Sequence, residues 1–175
     1  MSTEPALSTL IAEILSHTPH WAWAILAAIT ALGLLQWREH RVSRGRLLLA
    51  PLALGAYSLW GATGTFGTAA LPAWLAGMAL APLANRSLRW PRAIALAADG
   101  RFVIGGSPWP LLLMWAMFAL RYAVAVALAF HPELARHGAT AVGLAALYGA
   151  LSGLFAARAW RVLQSARWPA SAQAA

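Results

Sequence analysis

One arginine in this chain stands where charge is expensive. Residues 108–130 read PWPLLLMWAMFALRYAVAVALAF, a run long enough to cross a bilayer, with Arg121 near its middle. A guanidinium at that depth costs about 2.5–3.5 kcal/mol even on lenient insertion scales, so its neighbours must accommodate it. Two kinds of work suit it. It can lock a helix bundle through buried hydrogen bonds, or it can hold an anion or substrate within the membrane.

Other reactive side chains are few. The acidic residues are Glu4, Glu13, Glu39, Asp99 and Glu133, and none falls in an expected span, which disfavours paired-carboxylate chemistry within the membrane. Cysteine is absent, which removes disulfides, thiolate nucleophiles and Cys-bound metals. Without lysine there is no Schiff base. His17, His20, His131 and His137 fall on one side of the expected topology, and His40 on the other. Four imidazoles on one face suit a transition metal or a haem iron. Their spacing is loose, however: HTPH is broken by proline and HPELARH is i, i+6. Scattered interfacial histidines are the commoner arrangement. No cofactor is therefore expected, and these four remain weak metal candidates. The spans hold no Ser/His pair, HExxH or paired Asp, so neither a catalytic residue nor an enzyme is expected.

Composition sets the surroundings of these groups. The chain is 61% hydrophobic and 10% charged, where a soluble domain carries about 25% charged residues. Several windows of membrane-spanning length are mostly apolar. All thirteen basic residues are arginine, and the net charge is +8. In such a chain that charge sets orientation and meets anionic headgroups, and no nucleic acid is expected as a partner.

In chain order, residues 1–20 lack arginine, so there is no basic n-region for a secretory signal. Leu7, Leu10, Ile11, Ile14 and Leu15 form one stripe, which predicts a short amphipathic helix over 6–16. Thr18 and Pro19 read as a cap and first helical residue. The first span is expected over about 19–37, with tryptophans at both ends. The loop 38–46 carries four arginines and is therefore cytoplasmic. The second span covers about 47–65, with Pro51 in its first turns and Gly61, Gly64 and Gly67 loosening its outer end. The third covers about 69–85. Its stripe of Ala69, Ala73, Gly77 and Ala81 lets a neighbouring helix approach.

Residues 86–107 form a second arginine-rich cytoplasmic loop. Within it, Asp99-Gly100 between apolar runs predicts a hairpin over 93–104 with a type I′ turn, pairing Leu96 with Val103. Both of its faces are apolar, so it should pack on the cytoplasmic end of the bundle, or offer an edge to a partner strand. The fourth span is 108–130 and the fifth about 140–162. Ala145, Gly149, Gly153 and Ala157, following Ala141, mark a second packing stripe. Residues 169–175 read as a frayed tail. Eleven of the thirteen arginines fall in the three segments assigned to the cytoplasm.

At 100° per residue, Met114, Met117, Phe118, Ala125 and Leu128 share the face of Arg121, and Ala119, Ala123 and Ala127 lie opposite. A helix contacted from two sides is expected to be central. Arg121 lies nine residues below Phe130, roughly 13 Å at ~1.5 Å per residue. The same count in the other spans reaches Thr30, Tyr57 beside Ser58, and Gly149 beside Tyr148, with Ser152 one turn deeper. These form a candidate polar layer in which Arg121 donates to hydroxyls or freed carbonyls.

Several runs carry a resemblance: ILSHTPHWAW, RLLLAPLALGAYSLWG, GGSPWPLLLMWAMFALRYAVAVALAFHP and LYGALSGLFAARA. Over nearly the whole chain they resemble an uncharacterised family of bacterial multi-pass inner-membrane proteins, one of the domain-of-unknown-function groups. The resemblance implies a bacterial inner-membrane location and supplies no activity. The hairpin followed by an arginine-bearing span bears a fainter likeness to CcdC-like membrane proteins, associated by name with cytochrome c biogenesis. A thiol-relay role does not carry over to a chain without cysteine.

The expectation is an all-α integral membrane protein. It is a single five-helix transmembrane bundle, N-out and C-in, with an N-terminal amphipathic helix and a small cytoplasmic β-hairpin. Its partners are the lipid bilayer and a second copy or another membrane protein. The first functional expectation is non-enzymatic association. The others are a small oligomeric permeation unit using Arg121, and a redox or haem accessory using the outer histidines.

Overall fold

Prolines and glycines set where the elements begin and end. The computed structural model describes residue 9 and residues 16–88, 94–97 and 100–165. The helix expected over 6–16 lies outside these apart from Thr9 and Ser16, as do Asp99 of the hairpin and the 169–175 tail. Helix α1 is His20–Leu35. Pro19, with ψ 143°, takes the cap position one residue later than expected. The Thr18 hydroxyl does not cap; it bonds the Tyr122 hydroxyl.

Helix α2, Arg44–Phe66, is opened by Ser43, whose Oγ accepts from the Arg46 N–H at 3.4 Å. It starts earlier than the expected 47, so Pro51 lies in its interior, where it removes one backbone bond. Gly61 and Gly64 are helical, and only Gly67, at φ 74°, ends the helix. A 3-10 turn, Thr68–Ala70, leads into α3, Leu71–Leu88. Helix α4 is Trp109–Phe130. A second 3-10 turn, Pro132–Arg136, precedes α5, Gly138–Ser165. Of these five helices among the described residues, α2, α4 and α5 are long and apolar enough to cross a membrane, and α1 is apolar but has 16 residues.

Close backbone approach joins α3 to α5. A β-carbon on Gly149 would stand 1.9 Å from the Trp74 carbonyl oxygen, and one on Gly77 2.0 Å from that of Ala146. One on Gly153 would stand 2.6 Å from the Ala81 β-carbon and from the Met78 carbonyl oxygen. That carbonyl is the one Pro82 leaves without its helical donor. From Trp74 and Gly77 beside Gly149 and Ala146 the contact moves on to Ala81 beside Gly153, so α3 and α5 run parallel. The expected stripes are thus spent inside the chain. Ala69 is the exception: it lies in the 3-10 turn and is exposed, while Ala70 and Trp74 are buried.

The centre of the bundle is α5, not α4 as expected. Tyr148, Ser152, Gly153, Phe155 and the run 157–159 are all buried. Helix α2 packs antiparallel on α5, with Ser58 against Ser152. Helix α4 meets this core through Met117 and Val124. On its other side it meets α1 through Leu111 and Trp115, and Thr18 just before α1 through Tyr122. The alanine face contributes little to either contact, since Ala119 and Ala123 are exposed.

Three strands cap one end: β1 (His40–Val42), β2 (Ile94–Leu96) and β3 (Phe102–Ile104), antiparallel in the order β1-β3-β2. Strand β1 was expected as loop; three residues are too few to show a period. The hairpin register also differs from expectation by one residue. Leu96 faces Phe102, not Val103. Ala97 donates to the Arg101 carbonyl at 2.9 Å and accepts from the Gly100 N–H at 2.9 Å, which closes the hairpin at 97 and 101. Gly100, at φ 75°, is the left-handed residue that a three-residue hairpin requires. A one-residue slip exchanges the faces. Here it turns Val42, Phe102 and Ile104 onto Leu47, Ala159 and Val162.

At the opposite end the helices stop at different levels. Trp74, three residues into α3, touches Gly149, eleven residues into α5. Ser58 is eight residues from the end of α2, and its partner Ser152 is fourteen from the start of α5. At ~1.5 Å per residue, the α2–α3 turn is recessed by about 9–12 Å relative to the adjoining end of α5. The Pro132–Arg136 turn touches α2 across this step.

Candidate functional site

Arg121 lies in the middle of α4 and reaches across to α2. Its Nη1 donates to the Tyr57 carbonyl oxygen at 3.4 Å. Its guanidinium carbon stands 4.5 Å from the Tyr57 ring centre, 5.6 Å from Trp60 and 5.9 Å from Tyr148. Contacts of this kind are worth about 0.5–2 kcal/mol each, depending on desolvation. The guanidinium needs Gly61: a β-carbon there would stand 1.4 Å from Nη1. Among the described residues no carboxylate pairs with it. Tyr148 is buried, Arg121 is half-buried, and Tyr57 and Trp60 are exposed. The charge therefore sits at the bundle's flank, in a cage of rings open on one side.

Ser58 belongs to a separate, fully buried network. Its Oγ lies 2.5 Å from Ser152 Oγ and accepts from Trp74 Nε1 at 3.0 Å. Ser152 donates to the Tyr148 carbonyl at 3.0 Å. With that proton used, Ser58 supplies the hydrogen between the two hydroxyls, or shares it with the Gly55 carbonyl at 3.2 Å. Each serine is satisfied by a carbonyl, a hydroxyl or an indole, and no base of the kind that activates a nucleophile appears in these bonds. This is a polar lock between α2, α3 and α5.

Thr30 is also separate from Arg121. It donates to the Leu26 carbonyl at 2.6 Å and accepts from Trp115 Nε1 at 3.1 Å, which fastens α1 to α4. The structure thus gathers Arg121, Tyr57 and Tyr148 into one group, and assigns Ser58 and Thr30 to two others.

His17, His20, His131 and His137 are exposed. His131 Nδ1 lies 3.1 Å from the Glu133 carboxylate, and His17 beside Ser16 Oγ at 3.3 Å. Among the described residues no three His, Asp or Glu side chains converge in a way that could hold a metal ion.

Two buried polar residues escaped the sequence reading. Asn85 is 5% exposed, and its Oδ1 has no hydrogen-bond partner among the described residues. Arg158 is 7% exposed. The i+4 stripes carried the signal, because Asn85 continues Gly77 and Ala81. Trp60 was missed too, since an interfacial tryptophan looks the same with or without a cation beside it.

No curated protein and no solved structure matches the chain. The model of a family of unknown function, DUF6622, matches residues 3–173, and the chain belongs to that family.

Proposed function

We propose that this chain is a non-enzymatic protein of a bacterial inner membrane, crossing it five times with its N-terminus outside and its C-terminus inside. It works by association, with lipid and with a second copy or another membrane protein. The observation that carries this reading is uncovered apolar surface. Trp21, Leu35, Leu52, Trp60, Leu80 and Trp160 are each more than half exposed. Such a surface is a liability in water and suits hydrocarbon.

Five crossings are supported by shared thickness. Helix α3 runs beside α5 for several turns, and α1 runs antiparallel to α4 from Tyr122 to Leu111. The short helices thus span much of the same layer as the long ones. The arginine distribution supports the orientation.

Association is supported by an apolar groove of about 330 Å³ along α3 and α5, lined on its open side by Leu80, Ala84, Gly143, Leu147 and Ala150. Small residues there permit a helix to approach. Reporter fusions at positions 43, 98 and 172 should read inside, and at 66 and 134 outside. An outside signal at 98 overturns the topology. Native mass in mild detergent should exceed one chain, and Gly143→Leu with Ala150→Leu should return it to one. A wild-type mass of one chain at every concentration removes self-association.

A second reading is a small oligomeric permeation unit. The half-buried guanidinium of Arg121 favours it, and anion flux into liposomes carrying the reconstituted protein tests it.

A further inference from the structure

We infer that Arg121 anchors a phosphate-binding site open to the outer leaflet, and that its ligand is the phosphate of an anionic lipid headgroup. The inference rests on the membrane orientation proposed above.

The charge balance comes first. The guanidinium has five N–H donors in a planar fork. Among the described residues it makes one hydrogen bond, a long one of 3.4 Å to the Tyr57 carbonyl. The rings of Tyr57, Trp60 and Tyr148 offer quadrupoles but no net negative charge. A membrane cation held this way is left without a counter-ion, which is costly. A phosphate supplies the missing charge and acceptors for the fork.

Access comes second. Counted along α4, Arg121 lies nine residues from the end of its helix. Its guanidinium, however, rests on Gly61, five residues from the end of α2. That is about 7–8 Å from the α2 terminus at ~1.5 Å per residue. The α2–α3 turn above it is the recessed part of this end of the bundle. A headgroup must therefore enter this recess, beside the Pro132–Arg136 turn, to reach the cation. Trp60, 68% exposed, and Tyr57, 37% exposed, flank that path. Gly61 completes the seat, because its missing β-carbon is what lets the guanidinium lie on the α2 backbone.

The test uses the full chain reconstituted in phosphatidylcholine nanodiscs containing phosphatidylglycerol. Bound lipid is read by native mass spectrometry after transfer to mild detergent. Wild type should retain phosphatidylglycerol in preference to phosphatidylcholine. Arg121→Gln should lower that retention by about tenfold, the loss of roughly one charge-assisted contact. Gly61→Ala keeps the charge but unseats it, and should lower retention in the same direction. It also serves if Arg121→Gln fails to fold. Inorganic phosphate added in excess should leave the lipid in place.

Equal retention in all three proteins overturns the inference. Displacement by inorganic phosphate overturns the lipid assignment in favour of a free anion. A carbonate wash separates this from failure of the membrane reading. Protein that stays in the pellet with unchanged lipid retention loses only the Arg121 site; protein released by carbonate loses both.

Discussion

The guanidinium of Arg121 lies against Gly61, with Nη1 where a β-carbon of residue 61 would be. One turn of α2 therefore serves as a platform for a charge carried by α4. Gly64, three residues on, faces open space. The pair makes a controlled comparison. Gly64→Ala should stabilise the protein by about 0.5–1 kcal/mol through helix propensity. Gly61→Ala gains the same propensity but displaces the guanidinium, and should be destabilising by about 1 kcal/mol net. Thermal unfolding in one detergent checks both; equal shifts would show that the seat is energetically idle.

The Ser58, Ser152 and Trp74 network predicts a rescue. Ser58→Ala leaves the Trp74 indole N–H buried without its acceptor, at a cost of about 1–3 kcal/mol. On a Trp74→Phe background the same change should cost well under half as much, because the stranded donor is gone. A double-mutant cycle by denaturant or thermal unfolding measures the difference. An unchanged cost on the Phe background would mean that the indole bond contributes nothing.

The α3–α5 contact predicts a fold-level failure. Gly149→Leu drives a side chain into the Trp74 carbonyl, which is helix backbone and cannot move aside. The loss should be about 3 kcal/mol or more, near the upper range for overpacking. Gly143→Leu, on the same helix, meets nothing within 4 Å and should leave stability nearly unchanged. Membrane abundance in cells and unfolding of purified protein report the contrast.

The Pro132–Arg136 turn predicts a pH effect. A hydrogen bond from its own backbone N–H, then His131, holds the Glu133 carboxyl below its ordinary pKa of 4.5. A depressed carboxylate stabilises the turn above that ordinary value, and the contribution fades as pH falls through the lowered one. Protection of the Leu134 and His137 amides, taken relative to their intrinsic exchange rates, should therefore fall as pH drops below the ordinary 4.5. Glu133→Gln should remove that step. The group is fully exposed, so only the turn should respond.

Much of the helical fold was legible from residue order. Five apolar windows, their flanking tryptophans and the arginine-rich loops mark five helices. Small residues at every fourth position mark α3 and α5 as close-packing helices. These signals are local: hydropathy and side-chain size are properties of a residue and its near neighbours. The hairpin was legible in kind but not in register. Asp99-Gly100 signals a turn, but the choice between two and three turn residues depends on which face must bury Phe102 and Ile104. Strand β1 was not legible, since a strand of three residues exists only by pairing with β3.

By itself, then, the sequence determined that five apolar segments form helices, which of them pack closely, and that a single charge sits deep in the fourth. The tertiary structure alone decided what that charge meets. Counting residues from helix ends treats the bundle as level, and put Arg121, Thr30, Ser58 and Tyr148 in one layer. The helices end at different heights, and packing on α5 sets the offsets. Ser58 accordingly turns inward to Ser152 and Trp74, Thr30 goes to Trp115, and Arg121 turns outward onto Gly61 between Tyr57 and Trp60. The direction a long side chain takes depends on where its neighbours leave space, and no local pattern encodes that.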